Sequence, residues 1–266
     1  MDTDKLTQVE GIIRSLGKVA VAYSGGVDST LLLYIAHQQS GSDCLAVTAD
    51  SCLFPHRELL QAKEFCAQHR IDHLIVTHDA LAVQGICTNP PDRCYHCKKD
   101  LFTRIQALAN SRGINHVIDG TNADDISDYR PGLKALHELG VVSPFMEAGV
   151  TKDEIYALSS LYKLPTARKK SFACLATRIP YGEAITIQKL RRIDMAEQFL
   201  LDEGLTQVRV RSHGDLARIE TDKAGMAALA KEDMRARVHQ AFIKMGFSYV
   251  SLDLLEYKSG SMNINL

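Results

Sequence analysis

Short apolar runs alternate with amphipathic stretches along roughly the first two thirds of the chain. The apolar runs predict strands, and the stretches with a period near 3.6 predict helices between them. Strands that alternate with helices are typical of an α/β fold with a doubly wound parallel sheet. The predicted strands are residues 18–23, 44–49, 73–76, 116–120 and 141–145, and the predicted helices are residues 28–36, 57–69 and 98–110.

The pattern changes after about residue 171. Before that point, Thr151 and Glu154 form a capping-box pattern that predicts one more helix, ending before Pro165. Beyond it we predict a long helix closed by Gly204, a two-stranded hairpin, a second helix and a last strand. These elements are residues 186–203, 207–211 with 216–220, 231–245 and 248–252. The sequence therefore predicts two domains, residues 1–168 and a smaller C-terminal α+β domain of residues 169–266.

Composition narrows the class of protein. The 266 residues are 45 % hydrophobic and 24 % charged, both near the globular average, so the chain can bury a core and is expected to fold. With a net charge of −1, the molecule carries no overall field that would attract nucleic acid or an anionic membrane. The N-terminus has no export signal, and no apolar run approaches the ~20 residues that span a bilayer. We expect a cytoplasmic protein that binds neither nucleic acid nor membrane.

A glycine-rich turn between the first predicted strand and helix is suited to binding phosphate. Backbone N–H groups converge there, and the helix dipole favours an anion. No Gly-Lys-Ser/Thr follows, so the turn is not the P-loop. It resembles the PP-loop (SGGxDS) of ATP pyrophosphatases, which implies ATP as cofactor and places Asp28 near Mg²⁺. The loop residues, all expected to bind the cofactor, are Ser24, Gly25, Gly26, Val27, Asp28 and Ser29.

Seven cysteines in a reducing compartment suggest metal, cluster or redox chemistry rather than disulfides. Cys94 and Cys97 form a CxxC after a loop-forming sequence that would present both thiols on one side of a turn. A metal site needs more ligands, and Cys87 and Cys174 are the candidates. The other three cysteines, for which core packing is the simpler role, are Cys44, Cys52 and Cys66.

Basic residues mark a second candidate site. Cys174 lies near Lys169, Lys170 and Arg178, and nearby cations favour a thiolate. Arg209 and Arg211 alternate on a predicted strand, so both point to one face, where they could bind an anion together. A solvated charged face explains that spacing equally well. Glu197, on the preceding helix, could pair with the two arginines.

Taken together, these features resemble the LarE family of ATP-dependent sulfur transferases, which act in assembly of the nickel-pincer nucleotide cofactor. The resemblance runs from about residue 18 to residue 254. Thr177 is a departure, because serine is more usual there, but the hydroxyl is retained. The segments that carry the resemblance are residues 23–30, 119–122, 128–134, 174–182 and 208–211.

The resemblance implies that a carboxylate of pyridinium-3,5-biscarboxylic acid mononucleotide is adenylated and then converted to a thiocarboxylate, twice per molecule. A mixed anhydride with AMP has the good leaving group that a free carboxylate lacks. The family supplies sulfur in two ways. A lone cysteine matching Cys174 gives up its own sulfur, or three cysteines hold a [4Fe–4S] cluster that binds sulfide. Cys94, Cys97 and Cys174 are the set that the cluster form requires, so we favour it, with sacrifice of Cys174 as the alternative.

The same resemblance assigns further residues. Arg178, Glu197, Arg209 and Arg211 are expected near the phosphate of the nucleotide substrate. The resemblance implies that residues 49–51, which include Ala49 and Ser51, contact the adenine and ribose of ATP. It also implies a contact between Gly120 and the cofactor. Asp124 and Asp125 are candidates for binding Mg²⁺ or ribose. The expected partners are this small-molecule substrate and a sulfide source, and the family forms homo-oligomers, expected here as a hexamer.

Three other interpretations stay open on the sequence. An amide-forming synthetase of the NAD- or GMP-synthetase type would use ammonia and would need no thiol trio. A tRNA thiolation enzyme would share the loop and the cluster but would need an RNA-binding surface, against which the net charge counts. A non-enzymatic zinc module would use Cys87, Cys94, His96 and Cys97.

Overall fold

The structure, a computed structural model, describes residues 3–127, 131–170, 173–258 and 260–263. Contacts divide the chain into two units. The first comprises Met1–Val83 and Asp92–Phe172, and the second comprises Gln84–Pro91 and Ala173–Leu266. The predicted boundary would leave residues 84–91 in the first domain, whereas in the structure this segment packs with the C-terminal residues.

A four-stranded parallel sheet with the order β3-β2-β1-β4 forms the centre of the first unit. Val21 pairs with Ala46 of β2 on one side and with Ile118 of β4 on the other, so β1 is central. Val, Ala and Leu suit a parallel sheet that is covered on both faces. The doubly wound α/β prediction is confirmed. The strands are β1 (Val19–Ala22), β2 (Cys44–Asp50), β3 (Asp72–Thr77) and β4 (His116–Ile118).

Helices of the first unit pack around this sheet. The second helix is apolar on most of its surface, and Leu31, Leu32 and Leu33 are all fully buried because the helix packs against other helices as well as against the strands. Thr151 and Glu154 form the predicted capping box, which is confirmed at the start of the last helix. The helices are α1 (Thr3–Leu16), α2 (Val27–Ser40), α3 (His56–His69), α4 (Arg93–Asn110), α5 (Pro131–Glu138), α6 (Pro144–Glu147) and α7 (Lys152–Leu161).

Two local predictions were wrong. Residues 141–145 form no strand: Val142 makes an isolated parallel bridge with Ile118, and Pro144 then begins α6. Proline suits the first turn of a helix because its φ is already helical and its missing N–H has no helical partner to lose. The CxxC does not lie in a loop either. Helix α4 begins at Arg93, five residues earlier than predicted, so Cys94 and Cys97 lie in its first turn.

The second unit is the predicted smaller α+β structure. Strands β5 and β6 form the antiparallel hairpin, and β7 adds to β6 in parallel. Leu200, Val210 and Phe242 are fully buried in a core of its own. No helix in the described part of the chain is long and apolar enough to cross a membrane. The elements are α8 (Ile187–Asp202), β5 (Val208–His213), β6 (Leu216–Thr221), α9 (Lys223–Leu229), α10 (Glu232–Lys244) and β7 (Tyr249–Leu252).

Candidate functional site

The glycine loop connects the end of β1 with the start of α2. Gly25 has a φ of +73°, which a residue with a side chain rarely adopts, and a Cβ there would lie 3.2 Å from the carbonyl oxygen of Glu58. Gly26 is the N-cap of α2 and offers no side chain to its N–H groups. These N–H groups and the helix dipole therefore provide a site suited to an anion.

Two serines hold the loop in shape. The hydroxyls of Ser24 and Ser29 lie 3.0 Å apart, and the backbone N–H of Ser24 donates to Ser29 Oγ at 3.3 Å. Thr30 Oγ1 donates to the carbonyl of Gly26 at 2.8 Å, which fixes the N-terminal end of α2. Ser29 is buried, whereas Ser24 is exposed. Ser24 is thus the hydroxyl of this pair that a ligand can reach.

The carboxylate of Asp28 accepts hydrogen bonds from two residues that come after β4 in the chain. Asn122 Nδ2 donates to Asp28 Oδ1 at 3.2 Å, and the ammonium of Lys152 donates to Asp28 Oδ2 at 2.5 Å. The chain after β4 approaches closely here, because a Cβ on Gly120 would lie 2.9 Å from the backbone nitrogen of Ser29. Gly120 therefore belongs to the loop's immediate surroundings.

Lys169 contacts the opposite side of the loop. Its ammonium donates to the carbonyl of Gly25 at 3.0 Å, to Glu58 Oε2 at 2.6 Å and to Gln61 Oε1 at 2.6 Å. Three acceptors match the three donors of an ammonium group. Lys169 thus links the loop to α3, a different role from the predicted one of a cation beside Cys174.

Sequence reasoning did not assign Lys152 or Lys169 to the loop. Both are far away in sequence, and they reach Asp28 and Gly25 only through the fold. One signal pointed to Lys152: it is the first residue of the helix that the capping box predicts. That signal predicts where the helix starts but not which residue Lys152 contacts.

The carboxyl ends of the parallel strands bring other predicted residues to the same edge of the sheet. Ala49 lies near the end of β2 and Ser51 follows it, and both are partly exposed. On the other side of β1, Asp124 Oδ2 accepts from the backbone N–H of Lys152 at 2.7 Å, and Asp125 Oδ2 accepts from that of Asn122 at 3.0 Å. Asp124 and Asp125 therefore fix the backbone beside Asp28, a structural role that does not depend on a ligand.

The donor set at the loop is suited to Mg²⁺. Among the described side chains, no group of three or more His, Cys, Asp or Glu residues could by itself hold a metal ion. Mg²⁺ needs no such cage, because it commonly binds through one or two carboxylates together with substrate phosphates and water. The Asp28 carboxylate, 24 % exposed beside the loop, matches that requirement.

The cysteines are distributed over both units. Cys94 and Cys97 are partly exposed in the first turn of α4, and their spacing of three places them on neighbouring positions of one helix face. Cys174 is partly exposed in the second unit, and exposed Cys87 belongs to the same unit. Cys44 and Cys66 are buried in the core, where burial raises the pKa of each thiol to about 12. A [4Fe–4S] cluster with one open iron needs three thiolates; Cys94 and Cys97 lie in the first unit and Cys174 lies in the second.

Arg178 and Glu197 form a buried ion pair in the second unit. Arg178 Nε donates to Glu197 Oε1 at 2.8 Å and Nη2 donates to Oε2 at 3.0 Å, with both side chains 0 % exposed. Burial raises the pKa of Glu197, but the Arg178 charge more than offsets this, so the net shift is downward. Arg178 Nη1 also donates to the carbonyl of Cys174 at 3.1 Å, so this pair lies directly beside the predicted sulfur residue.

Arg209 and Arg211 lie on β5, and both are buried. Arg211 Nη2 donates to Glu220 at 2.6 Å, so this arginine pairs with a residue that the sequence did not suggest. Arg209 lies 4.8 Å from the ring centre of Tyr257. Burial and the nearby Arg178 lower the pKa of Arg209 to about 10.

The arginines and their acidic neighbours form one buried charged cluster. The three guanidinium groups of Arg178, Arg209 and Arg211 contact or face two buried carboxylates, Glu197 and Glu220. Arg218 extends the network, because it also pairs with Glu220, at 3.1 Å. Guanidinium groups form bidentate hydrogen bonds with phosphate oxygens, so the cluster has the donor chemistry that a phosphate requires.

Some residues that carry the sequence resemblance lie outside the described residues. They are Asp128, Tyr129 and Arg130.

Comparison with known proteins finds one family model and several relatives that match this chain. A family model described as asparagine synthase matches residues 7–126, the part of the chain that contains the glycine loop. An uncharacterised protein of Synechocystis is 40 % identical over 97 % of both chains. The pyridinium-3,5-bisthiocarboxylic acid mononucleotide synthase of Lactiplantibacillus plantarum is 36 % identical over 99 % of this chain and 95 % of its own length.

A more distant similarity is confined to part of the chain. A subunit of the glutamine-hydrolysing GMP synthase of Archaeoglobus fulgidus is 29 % identical over 61 % of this chain and 54 % of its own length. The match with the L. plantarum synthase, by contrast, covers 99 % of this chain and so extends over both units. The chain is thus an ATP-using enzyme of the PP-loop superfamily and belongs, within it, to the LarE family.

Proposed function

We propose that this protein is an ATP-dependent sulfur transferase that converts the carboxylates of pyridinium-3,5-biscarboxylic acid mononucleotide to thiocarboxylates, for synthesis of the nickel-pincer nucleotide cofactor. The observation that carries the proposal is the 36 % identity to the L. plantarum synthase over nearly the full length of both chains. The matched region covers 99 % of this chain and therefore includes the second unit, which contains Cys174.

The first half-reaction is adenylation. A substrate carboxylate oxygen attacks the α-phosphorus of ATP, the bond to the bridging oxygen breaks, and pyrophosphate leaves. The N–H groups of Gly26 and the first turn of α2 hold the phosphate oxygens, and residues 49–51 contact adenine and ribose. Asp28 would hold Mg²⁺, which neutralises the departing pyrophosphate.

Substrate orientation is assigned to the second unit. Arg178, Arg209 and Arg211 bind the substrate phosphate, and Glu197 holds Arg178 in place through two hydrogen bonds. The three guanidinium groups support the assignment, because guanidinium forms bidentate hydrogen bonds with phosphate oxygens. Fixing the substrate through a remote phosphate presents its carboxylate to the nucleotide without a contact at the reacting carbon.

The second half-reaction replaces AMP by sulfur. We assign Cys94, Cys97 and Cys174 to a [4Fe–4S] cluster, which would supply sulfur as a bound sulfide and leave the protein chemically unchanged. The CxxC pair at the start of α4 supports this route, because transfer from Cys174 alone gives Cys94 and Cys97 no role.

Sacrifice of Cys174 is the alternative route. There the Cys174 thiolate attacks the acyl carbon and expels AMP, which forms a thioester. Loss of the α-proton of Cys174 then breaks its Cβ–S bond, releasing the thiocarboxylate and leaving dehydroalanine. The hydrogen bond from Arg178 to the carbonyl of Cys174 would hold the backbone for such an attack.

The test is anaerobic turnover with ATP, Mg²⁺, substrate and sulfide, followed by mass spectrometry of both the small molecules and the protein. The thiocarboxylate, AMP and pyrophosphate are expected from the native chain. We expect about four irons per chain, lost in Cys94→Ala, with no change in Cys52→Ala, a partly exposed cysteine outside the assigned set.

Each failure has a distinct signature. If each native chain loses about 34 Da, the mass of H₂S, for every sulfur transferred, then Cys174 is sacrificed and the cluster route is wrong. Product formation from ammonia and not from sulfide would contradict sulfur transfer altogether, and would instead fit an amide-forming enzyme such as the GMP synthases.

A further inference from the structure

The chain after β7 covers the charged face of the sheet in the second unit. Tyr257 is tied to that sheet by its backbone N–H, which donates to the carbonyl of Thr221 at 2.9 Å. We call residues 257, 258 and 260–262 the C-terminal strap. Three side chains of the strap each contact one arginine of the sheet. The pairs are Tyr257 with Arg209, Ser261 with Arg211, and Met262 with Arg218.

The register of the hairpin places the charged side chains on one face. Arg209 is directly opposite Glu220, and Arg211 is directly opposite Arg218. Like charges directly opposite each other destabilise an antiparallel pair of strands. Glu220 offsets this, because it accepts from Arg211 at 2.6 Å and pairs with Arg218 at 3.1 Å. The position of this carboxylate therefore helps to decide where the Arg211 guanidinium lies.

Ser261 completes the hydrogen bonds between Arg211 and Glu220. Its hydroxyl oxygen accepts from Arg211 Nη2 at 2.9 Å, and the hydroxyl donates to Glu220 Oε1 at 3.1 Å. A hydroxyl group both accepts and donates, which a position between a guanidinium and a carboxylate requires. Arg211 Nη1 donates in turn to the carbonyl of Thr177 at 3.0 Å. The guanidinium of Arg211 is thus held at both terminal nitrogens.

The remaining nitrogen of Arg211 is suited to a ligand. Arg211 Nε is buried and has no hydrogen-bond partner among the described residues. A buried donor without an acceptor is costly, and an oxygen of a bound phosphate would remove that cost. Because both terminal nitrogens are held, the direction of this N–H is set before a ligand binds.

Tyr257 restricts Arg209 in a different way. The guanidinium carbon of Arg209 lies 4.8 Å from the centre of the Tyr257 ring, within the range of a cation–π interaction. Such an interaction uses the face of the planar guanidinium and none of its N–H groups. The ring therefore orients Arg209 without acting as its hydrogen-bond acceptor.

From these contacts we infer that the C-terminal strap positions the arginines for the substrate phosphate, with Ser261 acting through Arg211 and Tyr257 acting through Arg209. Both are positioning residues, since neither needs to touch the substrate. The inference rests on the proposed binding of the substrate phosphate at this cluster, and it adds the end of the chain to that site. Under the opposite hypothesis, the Ser261 hydroxyl takes the place of a phosphate oxygen and competes with the substrate.

Calorimetric titration of the full-length chain with ribose 5-phosphate separates these two hypotheses. This probe carries a sugar phosphate and no carboxylate, so its binding does not depend on adenylation. Ser261→Ala is expected to bind it about 5- to 20-fold more weakly, because the Arg211 guanidinium is no longer held. Ser261→Thr, which keeps the hydroxyl, is expected to retain most of the affinity. The matched control is Ser251→Ala, because Ser251 lies beside Arg218 on β7 but donates to the carbonyl of Ala217.

The sign of the change in affinity decides the outcome. Tighter binding in Ser261→Ala would show competition between the strap and phosphate, and unchanged binding would show that Ser261 does not act through Arg211. Either result overturns the inference, as does an equal loss in Ser251→Ala or a native chain that does not bind ribose 5-phosphate. Circular dichroism of each variant confirms that a loss of binding is not a loss of fold.

A second pair of variants tests Tyr257. Tyr257→Phe keeps the aromatic ring and is expected to retain most of the affinity for ribose 5-phosphate. Tyr257→Leu removes the ring and is expected to bind about 3- to 10-fold more weakly. Equal affinities in Tyr257→Leu and the native chain would overturn the role assigned to the ring.

This inference and the proposed function fail in different ways. In turnover, Ser261→Ala is expected to raise KM for the nucleotide substrate while kcat changes less than about twofold, the pattern of an interaction that serves binding alone. A native chain that binds ribose 5-phosphate in a Ser261-dependent way but yields no thiocarboxylate would refute sulfur transfer and leave the role of the strap intact. A native chain that makes thiocarboxylate while Ser261→Ala has an unchanged KM would refute only the role of the strap.

Discussion

The buried ion pair of Arg178 and Glu197 has consequences for stability as well as for binding. Neither side chain is exposed, and Glu197 Oε1 also accepts the backbone N–H of Val210 at 3.1 Å. Burying two charges is costly, and their attraction compensates only when both are present. Loss of one partner therefore leaves a charge in the interior without compensation.

For Glu197→Gln we expect the free energy of unfolding to fall by about 3–5 kcal/mol, the usual cost of breaking a buried pair. Urea denaturation followed by circular dichroism measures it. Glu203→Gln at the end of the same helix is the control, since Glu203 pairs with Arg237 at the surface, where the loss is expected to stay below about 1 kcal/mol. Equal losses in the two variants would show that the buried pair contributes no more to the free energy of unfolding than the surface pair does.

A fall in pH is expected to reduce the contribution of Glu197 to the free energy of unfolding. The pKa of Glu197 is lower in the folded chain than in the unfolded one, so its contribution is fully present above the unfolded value of about 4.3. It is lost as the pH falls through the lower folded pKa. The stability difference between the native chain and Glu197→Gln is therefore expected to be constant near neutral pH and to shrink below about pH 4. Urea melts at a series of pH values measure this difference, and growth of it on acidification would contradict the assignment.

At the scale of elements, the critical contact is that between the chain after β4 and the first turn of α2. In Gly120→Ala the new methyl group would lie 2.9 Å from the nitrogen of Ser29 and 3.1 Å from the carbonyl carbon of Asp28, both backbone atoms. We expect a loss of about 1–3 kcal/mol in stability, together with weaker ATP binding because the loop must shift. Thermal melts and ATP titration measure the two effects.

Gly11→Ala is the matched control for that substitution. Gly11 lies in α1, and a Cβ there would meet no atom within 4 Å. Alanine is the better helix former, so this variant is expected to be up to about 1 kcal/mol more stable. ATP affinity reduced as much in Gly11→Ala as in Gly120→Ala would argue against a specific contact with the loop.

Sequence periodicity predicted most elements because strong local patterns agree with the fold. The alternation of strands and helices predicted all four strands of the parallel sheet, and hairpin spacing predicted β5 and β6. It failed where local signals conflict. Apolar residues 141–145 suggested a strand although Pro144 starts a helix, and helices α1, α5 and α9 were not predicted.

The candidate site was predictable only where a contiguous motif carries it. The glycine loop is such a motif, and its place between strand and helix follows from the pattern around it. Lys152 and Lys169 were not predictable, because each approaches the loop from a distant segment. Glu220 was missed as the partner of Arg211 for a related reason, since cross-strand neighbours depend on hairpin register.

At the scale of the whole molecule, residues 84–91 are distant in sequence from the rest of the second unit, to which they belong. Asn89 is fully buried, and its Nδ2 donates to the carbonyls of Ile179 at 3.2 Å and Pro180 at 2.7 Å. In return, the N–H of Gly182 donates to the carbonyl of Asn89, and that of Ile185 to the carbonyl of Cys87. The second unit is therefore completed by residues from the first third of the chain.

Asn89→Ala should destabilise this part of the second unit by about 1–3 kcal/mol, because two buried carbonyls lose a donor. Asn89 also has a φ of +54°, which asparagine tolerates better than alanine. Hydrogen exchange by mass spectrometry is expected to show faster exchange at residues 182–185, with β1 and β2 unchanged. Asn110→Ala, exposed at the end of α4, is the control. Uniform acceleration over the whole chain would instead indicate global unfolding.

The early position of that segment also bears on how the protein is made. A ribosome releases residues 84–91 well before it has translated the residues around 179–185 that they contact. At about 5–20 residues per second, the wait is on the order of 10 s. Throughout that time Ile86, which is 1 % exposed in the finished fold, has no completed core to enter. Nascent chains of this protein are therefore expected to engage a chaperone at this segment, and premature termination before residue 185 would leave it permanently uncovered.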